Sequence, residues 1–299
     1  TQKEILLSRQ KNKSLRKSKS RIIKKWKNKF ENKKMISYIG GKNRMANWIS
    51  QYIPKSETYA EVFGGAFWVY IKGQIEAEKI IYNDKNRFMA NMFECMRKPK
   101  HFRNILEVTP DQQKKYFDTY QKELNKIKDK RFKLGDKGIG LKYAYCATQV
   151  FSGSKILESK FIDLKGKYGS KFKSLQNKLQ KDTIIKKLEN ITEVENLDYK
   201  DLIQKYDSKE TFFYVDPPYW KTENYYSNHD FDSKDHKTLI EQLKKTTGKW
   251  ALSYYDFPQL SEWLPKDKYT WVEKEFNKAA GAKKGKKQNK GTELLIMNY

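Results

Sequence analysis

The chain has 299 residues, which is enough for one large domain or for a core domain with a smaller insert. It carries 63 Lys and Arg residues against 36 Asp and Glu residues, a formal net charge of +27. Such an excess favours a polyanionic partner, because a basic surface releases counterions when it binds nucleic acid. Lysine used only to improve solubility accounts for part of the excess, and +27 is too large for that explanation alone.

The cysteines, histidines and apolar runs exclude several classes of protein. Cys95 and Cys146 lie in apolar, helical-looking segments, which predicts buried thiols of a reducing compartment and no disulfide framework. The histidines, His101, His229 and His236, lack zinc-binding spacing. No apolar run approaches the roughly 20 residues that span a bilayer, and the N-terminus lacks a secretory hydrophobic region. We therefore expect a cytoplasmic protein with neither a metal nor a membrane partner.

Residues 1–34 form the most basic part of the sequence. They hold 14 Lys and Arg residues and two acidic residues, Glu4 and Glu31. Segments of this composition are usually solvated until they meet a partner. We interpret this segment as a basic arm that follows the phosphates of a nucleic acid; a dispensable solvated tail is the alternative.

The next segment predicts a strand, a turn and a helix. The strand covers residues 36–39, the turn contains Gly40 and Gly41, and Pro54 ends the helix. Glycines allow the backbone to approach a ligand closely, and Lys42 at the start of the helix can reach a carboxylate. On its own this pattern also fits a simple turn.

A nucleoside-binding unit is predicted downstream. A strand over 59–63 leads into a turn at Gly64 and Gly65, and after a helix a second strand at 80–83 ends at Asp84. Asp84 lies 20 positions beyond Gly64, the distance at which doubly wound nucleotide-binding units place a carboxylate on ribose hydroxyls. The loop matches neither phosphate-binding glycine motif. This favours a nucleoside without phosphates and points to S-adenosylmethionine.

Residues 88–190 form a long, mostly helical and lysine-rich interval. Gly135, Gly138 and Gly140 are predicted to interrupt its helical pattern. Within it, 161–174 alternates cations with aromatic rings. That mixture suits contact with a nucleic-acid backbone and its bases, although a solvated surface has a similar composition.

A buried strand over 211–215 ends abruptly at Asp216, Pro217, Pro218 and Tyr219. Prolines cannot donate to a sheet, so the strand stops there and the backbone beyond it is stiff. In open α/β sheets, ligands bind at the carboxyl ends of the strands. The motif offers two oxygen acceptors for the N–H bonds of a flat heterocyclic amine and one ring on which it can stack. A tight turn with a half-buried tyrosine is the alternative.

The sheet pattern is predicted to resume from Ile184 and to continue to the end of the sequence. Asp232 and Ser233 are positioned to cap a helix, and 250–256 has the pattern of a strand. Residues 269–276 and 294–299 are predicted to form a closing pair of strands.

Residues 278–291 separate the two closing strands and carry six lysines and no acidic residue. The segment is too charged to pack in a core, so we expect a phosphate-contacting or disordered loop. Strands alternating with helices predict an α/β fold.

Four segments, in this order along the chain, resemble those of the Dam-like N6-adenine DNA methyltransferases. They are Tyr38–Lys42, Glu61–Phe67, Asp216–Tyr219 and Glu293–Tyr299. The resemblance implies a Rossmann-like S-adenosylmethionine-dependent methyltransferase sheet with an inserted, mostly helical target-recognition domain. The implied organisation is an arm at 1–34, a catalytic domain formed by 35–92 and 191–299, and a DNA-binding insert at 93–190.

The same resemblance implies roles for individual residues. Asp84 would bind the ribose hydroxyls of S-adenosylmethionine and Asp198 the amine of its adenine. Asp216 and the Pro217 carbonyl would accept the N6 hydrogens of the target adenine, and Tyr219 would stack on that base. The residues implied in cofactor binding are Tyr38, Gly40, Lys42, Phe63, Gly64, Gly65, Asp84, Asp198 and Asp216; those implied in catalysis are Asp216, Pro217, Pro218 and Tyr219.

The resemblance implies methylation of a flipped-out adenine in double-stranded DNA, in the cytoplasm and nucleoid of a prokaryotic or phage-infected cell. A cognate restriction nuclease is a possible partner. Methylation of RNA or of a protein glutamine amide is an alternative, although Asp216 in place of Asn favours a nucleic-acid base. A catalytically inactive DNA-binding homologue is the third hypothesis.

Overall fold

The structure is a computed structural model that describes residues 42–98, 109, 112–150, 155–162, 171–220, 231–277 and 290–299. The predicted basic arm at 1–34 and the predicted strand at 36–39 lie outside these residues, as does most of the lysine-rich loop, at 278–289. None of the helices within the described ranges is long and apolar enough to cross a membrane.

Seven strands of the described residues form one sheet in the order β3-β2-β1-β4-β5-β7-β6. The first five in this order are parallel, whereas β7 is antiparallel to both of its neighbours, β5 and β6. The strands are β1 (Ser56–Glu61), β2 (Ala77–Asn83), β3 (Ile191–Glu195), β4 (Thr211–Val215), β5 (Lys249–Tyr254), β6 (Thr270–Asn277) and β7 (Lys290–Met297). This mixed sheet with helices confirms the predicted Rossmann-like methyltransferase fold.

Helices connect the parallel strands and cover the sheet. The α-helices of the described ranges are α1 (Ala46–Ile49), α2 (Trp68–Lys72), α3 (Arg87–Met96), α4 (Gln113–Asn125), α5 (Lys137–Gln149), α6 (Lys171–Lys178), α7 (Asp182–Glu189), α8 (Tyr199–Tyr206), α9 (Ser233–Lys245) and α10 (Leu260–Trp263). A short 3-10 helix, Ser50–Tyr52, follows α1. Asp232 caps α9 as predicted, by accepting hydrogen bonds from two backbone N–H groups in the first turn of the helix.

The sheet has a hydrophobic core on each face, because successive side chains of a strand point to opposite faces. In β4 every residue is buried. Phe212 belongs to one core, where its ring stacks on Tyr59 with centroids 6.0 Å apart. Phe213 belongs to the other core, with Leu239 of α9 and Leu202 of α8.

The helices of the predicted insert share the first of these cores. Phe117 of α4, Tyr145 of α5 and Leu175 of α6 are buried in the cluster that contains Tyr59 of β1. Cys95 and Cys146 are buried free thiols, which confirms the prediction that both thiols are buried. The boundaries of the insert at 93 and 190 stay a prediction.

The prediction that Gly138 and Gly140 interrupt a helix is wrong, because both lie within α5. A Cβ at Gly140 would lie 2.8 Å from Cys95 Sγ, so the missing side chain lets α5 approach α3 closely. Gly135 does precede the helix, with a φ of +94°, and Asp136 then caps α5. Close helix packing therefore outweighs the poor helix propensity of glycine.

Two further boundaries differ from the prediction. The sheet resumes at Ile191 and not at Ile184, because Ile184 and Leu188, four positions apart, form the buried face of α7. The last two residues of the predicted 278–291 loop belong to β7, which pairs with β6 up to the Asn277–Lys290 register. The closing antiparallel pair of strands itself is confirmed.

The strand order reverses between β1 and β4, which lie side by side at the centre of the sheet. Glu61 ends β1 and Val215 ends β4, so the residues that follow them meet at one edge of the sheet. This is the topological switch point at which open α/β sheets bind ligands.

Candidate active site

Asp216 lies directly beyond the buried end of β4, at the switch point. Pro217 and Pro218 are both buried behind it, so the backbone turns out of the sheet at a fixed position. The Asp216 side chain is 18% exposed. The side chain is therefore largely shielded from solvent.

A buried ammonium group joins Asp216 to a second carboxylate. Lys42 Nζ lies 2.9 Å from Asp216 Oδ1 and 3.2 Å from Glu293 Oε1 of β7. Tyr219 completes the cluster, because its hydroxyl accepts a hydrogen bond from Lys42 Nζ and donates one to Glu293 Oε1 over 2.5 Å. Two carboxyl groups thus flank one ammonium group in a nearly solvent-free environment.

The balance of charges sets the protonation of Asp216. Burial raises its pKa and the Glu293 carboxylate raises it further, while Lys42 and the Tyr219 hydroxyl lower it, which leaves the pKa at about 6. Asp216 is therefore mostly ionised at neutral pH and can accept hydrogen bonds from an N–H donor.

Aromatic rings and Lys42 enclose Tyr219. Its ring stacks on Tyr254 with centroids 5.5 Å apart and meets Tyr255 edge-on at 4.3 Å. Lys42 Nζ lies 4.5 Å from the ring centroid. The residue is only 6% exposed. A base can stack on this ring only after one of the covering side chains moves.

Glu61, at the end of β1, is a second buried carboxyl group at the switch point. Its Oε1 accepts hydrogen bonds of 2.8 Å from the Tyr59 hydroxyl and from the Tyr70 backbone N–H. Burial raises its pKa to about 8, although both hydrogen bonds lower it. Glu61 is therefore mostly protonated at neutral pH.

The glycine loop after β1 packs tightly against β2. Gly64 donates a 2.6 Å hydrogen bond to the Asn83 carbonyl. Gly65 has a φ of +47°, a conformation that favours glycine. The Gly65 carbonyl accepts a 2.8 Å hydrogen bond from the Tyr82 hydroxyl. The loop is thus fixed on both sides before any ligand binds.

Asp84 anchors this loop from the end of β2. Asp84 Oδ2 accepts a 2.8 Å hydrogen bond from Gly65 N–H and Oδ1 accepts a 2.7 Å hydrogen bond from Asn86 N–H. Burial raises its pKa to about 6 and these two hydrogen bonds lower it. The structure therefore brings the predicted residues Gly65 and Asp84 into direct contact.

Asp198 and Phe63 border the same edge of the sheet. Asp198 caps α8 through Lys200 N–H, and its Oδ2 lies 3.2 Å from Lys85 Nζ. Phe63 packs on the ring of Tyr199 with centroids 5.7 Å apart. Asp198 thus contacts the loop after β2 through Lys85, whereas the ring of Phe63 is half-buried.

Two buried carboxyl groups of the site, those of Glu61 and Glu293, have no role predicted from the sequence. Glu293 and Glu61 belong to segments that carry the family resemblance, but no role follows from those motifs alone. Both are isolated acidic residues next to an apolar run, and that signal could have marked them as buried and partnered. The candidates Tyr38 and Gly40 lie outside the described residues.

Residues 38–279 match the sequence model of a protein family described as "D12 class N6 adenine-specific DNA methyltransferase". The chain belongs to this family. The Type II methyltransferase M.FokI of Planomicrobium okeanokoites is 32% identical over 98 residues, which is 32% of this chain and 14% of that relative. The matched part is thus well below two thirds of the relative's length.

Membership of the D12 class implies S-adenosylmethionine as the methyl donor. The residues at the switch point fit that molecule chemically. Asp84 and Asp198 supply oxygen acceptors suited to hydroxyl and amine groups, and Phe63 supplies a half-buried ring. Gly65, held against Asp84 by its N–H, has no side chain to cover the loop backbone.

Proposed function

We propose that this chain transfers a methyl group from S-adenosylmethionine to N6 of an adenine in double-stranded DNA at a specific site. The observation that carries the proposal is the position of Asp216, half-enclosed at the carboxyl end of β4 with Lys42 against one oxygen. A methyltransferase for this amine needs hydrogen-bond acceptors at that place, and membership of the D12 class supports the substrate.

The chemistry follows from the amine. The lone pair of the adenine N6 is delocalised into the ring, which makes the nitrogen a poor nucleophile. In the proposal, Asp216 and the Pro217 carbonyl accept its two hydrogens, which favours a pyramidal nitrogen and stabilises the positive charge that develops there. S-adenosylmethionine, when bound, supplies the activated methyl group and the sulfide leaving group.

Lys42 has a supporting role in this proposal. It holds Asp216 Oδ1 at 2.9 Å and lowers the pKa of that carboxyl group. The acceptor thus has a fixed orientation and remains ionised at neutral pH, so alignment costs little when the base arrives.

The target adenine must leave the duplex, because N6 is inaccessible to the protein within the base stack. We propose that Tyr219 stacks on the extruded base. Its covered position requires Tyr255, which meets the ring edge-on, to withdraw first, so we expect base entry and a rearrangement around Tyr219 to occur together.

The cofactor site proposed here consists of the residues that the sequence implied. They are Tyr38, Gly40, Lys42, Phe63, Gly64, Gly65, Asp84, Asp198 and Asp216. The contact between Asp84 and Gly65 supports this set, because it presents the loop and the carboxyl group as one surface.

DNA binding is proposed for the basic arm at 1–34 and the insert at 93–190, with the excess of positive charge as support. We also propose a role in DNA modification in the cytoplasm and nucleoid, with a cognate restriction nuclease as a partner.

Methyl transfer from labelled S-adenosylmethionine tests the function directly. Unmethylated genomic DNA, total RNA and a protein extract would be offered separately, and labelled DNA would be sequenced as single molecules. We expect label in DNA only, at adenines within one recurring motif, and none with Asp216→Ala. Label in RNA or protein would favour the alternative substrates, and cofactor binding without any transfer would indicate an inactive homologue.

A further inference from the structure

Glu293 is the one carboxylate of the described Lys42 cluster to which neither the sequence motifs nor the proposed chemistry give a role. It is 2% exposed, and its Oε1 contacts both Lys42 Nζ at 3.2 Å and the Tyr219 hydroxyl at 2.5 Å. A buried carboxylate costs several kcal/mol in lost hydration unless partners offset that loss. Its retention at this position therefore calls for a reason.

We propose that Glu293 is a positioning residue for methyl transfer, which holds Lys42 and Tyr219 in place and gives the Asp216 site a net negative charge. The inference rests on the proposed function. It extends that function to a residue that does not touch the reacting atoms.

Glu293 positions Lys42 and Tyr219 through direct contacts. Lys42 Nζ has carboxylate oxygens on two sides, at 2.9 Å from Asp216 and 3.2 Å from Glu293. With Glu293 present, Lys42 is shared between two carboxylates and cannot pair with Asp216 alone. The Tyr219 hydroxyl is fixed by the same Oε1, so a single atom of Glu293 orients both neighbours of Asp216.

Glu293 also changes the net charge of the cluster. Lys42 alone would neutralise Asp216, and the pair would then have little preference for a cation. The second carboxylate changes the balance of the cluster to one excess negative charge. That charge lies where the N6 amine becomes positive during transfer, and a buried charge acts strongly because water does not screen it.

The protonation of Asp216 provides a readout that a purely structural role would not affect. Titratable or charged groups face Asp216 from several elements: Lys42 before α1, Glu61 of β1, Tyr214 of β4, Tyr219 beyond β4, Tyr255 beyond β5 and Glu293 of β7. The tyrosines are neutral at ordinary pH, and Glu61, with a pKa of about 8, is mostly protonated below neutrality. Glu293 is the like charge that raises the pKa of Asp216.

Glu293→Gln removes the charge and keeps a similar shape. We expect kcat for methyl transfer to fall by roughly 10- to 100-fold, because the groups beside the acceptor lose their alignment, with KM for DNA unchanged. We expect the acidic limb of the kcat profile to move to lower pH, since Asp216 then loses its proton more readily. Glu57→Gln is the matched control, because it breaks an exposed ion pair with Lys79 at the opposite edge of the sheet.

A measurement without cofactor or DNA separates this inference from the proposed function. The unfolding midpoint of the cofactor-free protein would be recorded from pH 4 to pH 7 for the wild type, Glu293→Gln, Asp216→Asn and the double variant. We expect Glu293→Gln to lessen the loss of stability that accompanies ionisation of Asp216, and to lose this effect in the Asp216→Asn background.

Each outcome has a defined meaning. Absence of transfer by the wild type would overturn the proposed function, while the unfolding series would still test the coupling. Unchanged kcat and pH limb in Glu293→Gln would overturn the inference, as would an unfolding series without coupling. If Glu293→Gln fails to fold, Glu293→Asp replaces it, because this variant keeps the charge and shortens the side chain. A lower kcat with an unmoved pH limb in Glu293→Asp would support the positioning role. A wild-type kcat would contradict it.

Discussion

Gly64 lies so close to Tyr82 that a Cβ at position 64 would come within 2.4 Å of the tyrosine ring. The same Cβ would be 2.7 Å from the Asn83 carbonyl, which belongs to the backbone of β2 and cannot rotate away. The glycine in this loop is therefore required first by packing between β1 and β2, before any requirement of a ligand.

Gly64→Ala should lower the free energy of unfolding by about 1–3 kcal/mol, the usual cost of overfilling a packed site. Chemical denaturation of both proteins measures the difference. Gly138→Ala is the control, because its Cβ would approach only the Asp136 side chain, at 3.4 Å, within a helix. We expect that variant to gain about 0.5–1 kcal/mol. Equal stabilities for Gly64→Ala and the wild type would contradict the packing argument.

Glu61 should make the cofactor-free protein less stable as the pH rises. Its pKa is about 8 in the folded protein against 4.5 ordinarily. Between these values the folded chain holds a proton that the unfolded chain lacks, so stability falls by up to about 1.4 kcal/mol per pH unit.

Glu61→Gln keeps the acceptor for Tyr59 and Tyr70 without the ionisation, so its stability should fall less steeply between pH 6.5 and pH 8. Asp84 and Asp216, with pKa values of about 6, are mostly ionised by then. Thermal unfolding across this interval tests the slope, with Glu57→Gln as a control. Parallel curves for Glu61→Gln and the wild type would show that Glu61 is already charged.

Asp84→Asn should weaken cofactor binding by about tenfold, because an amide accepts on one side only and a charged hydrogen bond contributes about 1.5–3 kcal/mol. Either Gly65 N–H or Asn86 N–H would lose its acceptor. Calorimetric titration with S-adenosylmethionine measures the change. Asp118→Asn is the control, because it alters an exposed ion pair with Lys114. Wild-type affinity in a folded Asp84→Asn protein would remove Asp84 from the proposed site.

Deletion of residues 1–34 should weaken DNA binding and flatten its dependence on salt. Each phosphate contact contributes about −0.9 to the slope of log affinity against log salt, and this segment holds 14 Lys and Arg residues. Affinity for S-adenosylmethionine is expected to stay the same and acts as the control. An unchanged salt slope would show that the arm makes no phosphate contacts.

The central strands could be predicted from sequence because burial on both faces produces a continuous apolar run. The run at 211–215 and the stop at Pro217 define β4 and place Asp216 without any knowledge of the fold. The continuation of helix α5 through Gly138 and Gly140 could not be predicted, since the fit of Gly140 against Cys95 depends on a neighbouring helix. Strand β3 could not be predicted from its pattern either, because its buried residues, Ile191 and Val194, are three positions apart and do not alternate with polar ones.

The candidate site could be predicted only in part for the same reason. Motifs record which residues lie near one another along the chain, and Asp216 and Tyr219 are such neighbours. The ion pair between Lys42 and Glu293 joins opposite ends of the described sequence through the sheet order. Lys42 is expected from the sequence to reach a carboxylate, but no local pattern identifies Glu293 as its partner.

The cluster around Lys42 also bears on how the chain folds. Lys42 and Tyr219 are 177 positions apart, and Glu293 is farther still along the chain. Contacts of such separation form late, because the entropy of closing the intervening chain opposes them until the sheet exists. Recovery of methyl transfer during refolding should accordingly lag behind recovery of secondary structure, since the acceptor for the base is assembled from segments that meet only in the completed sheet.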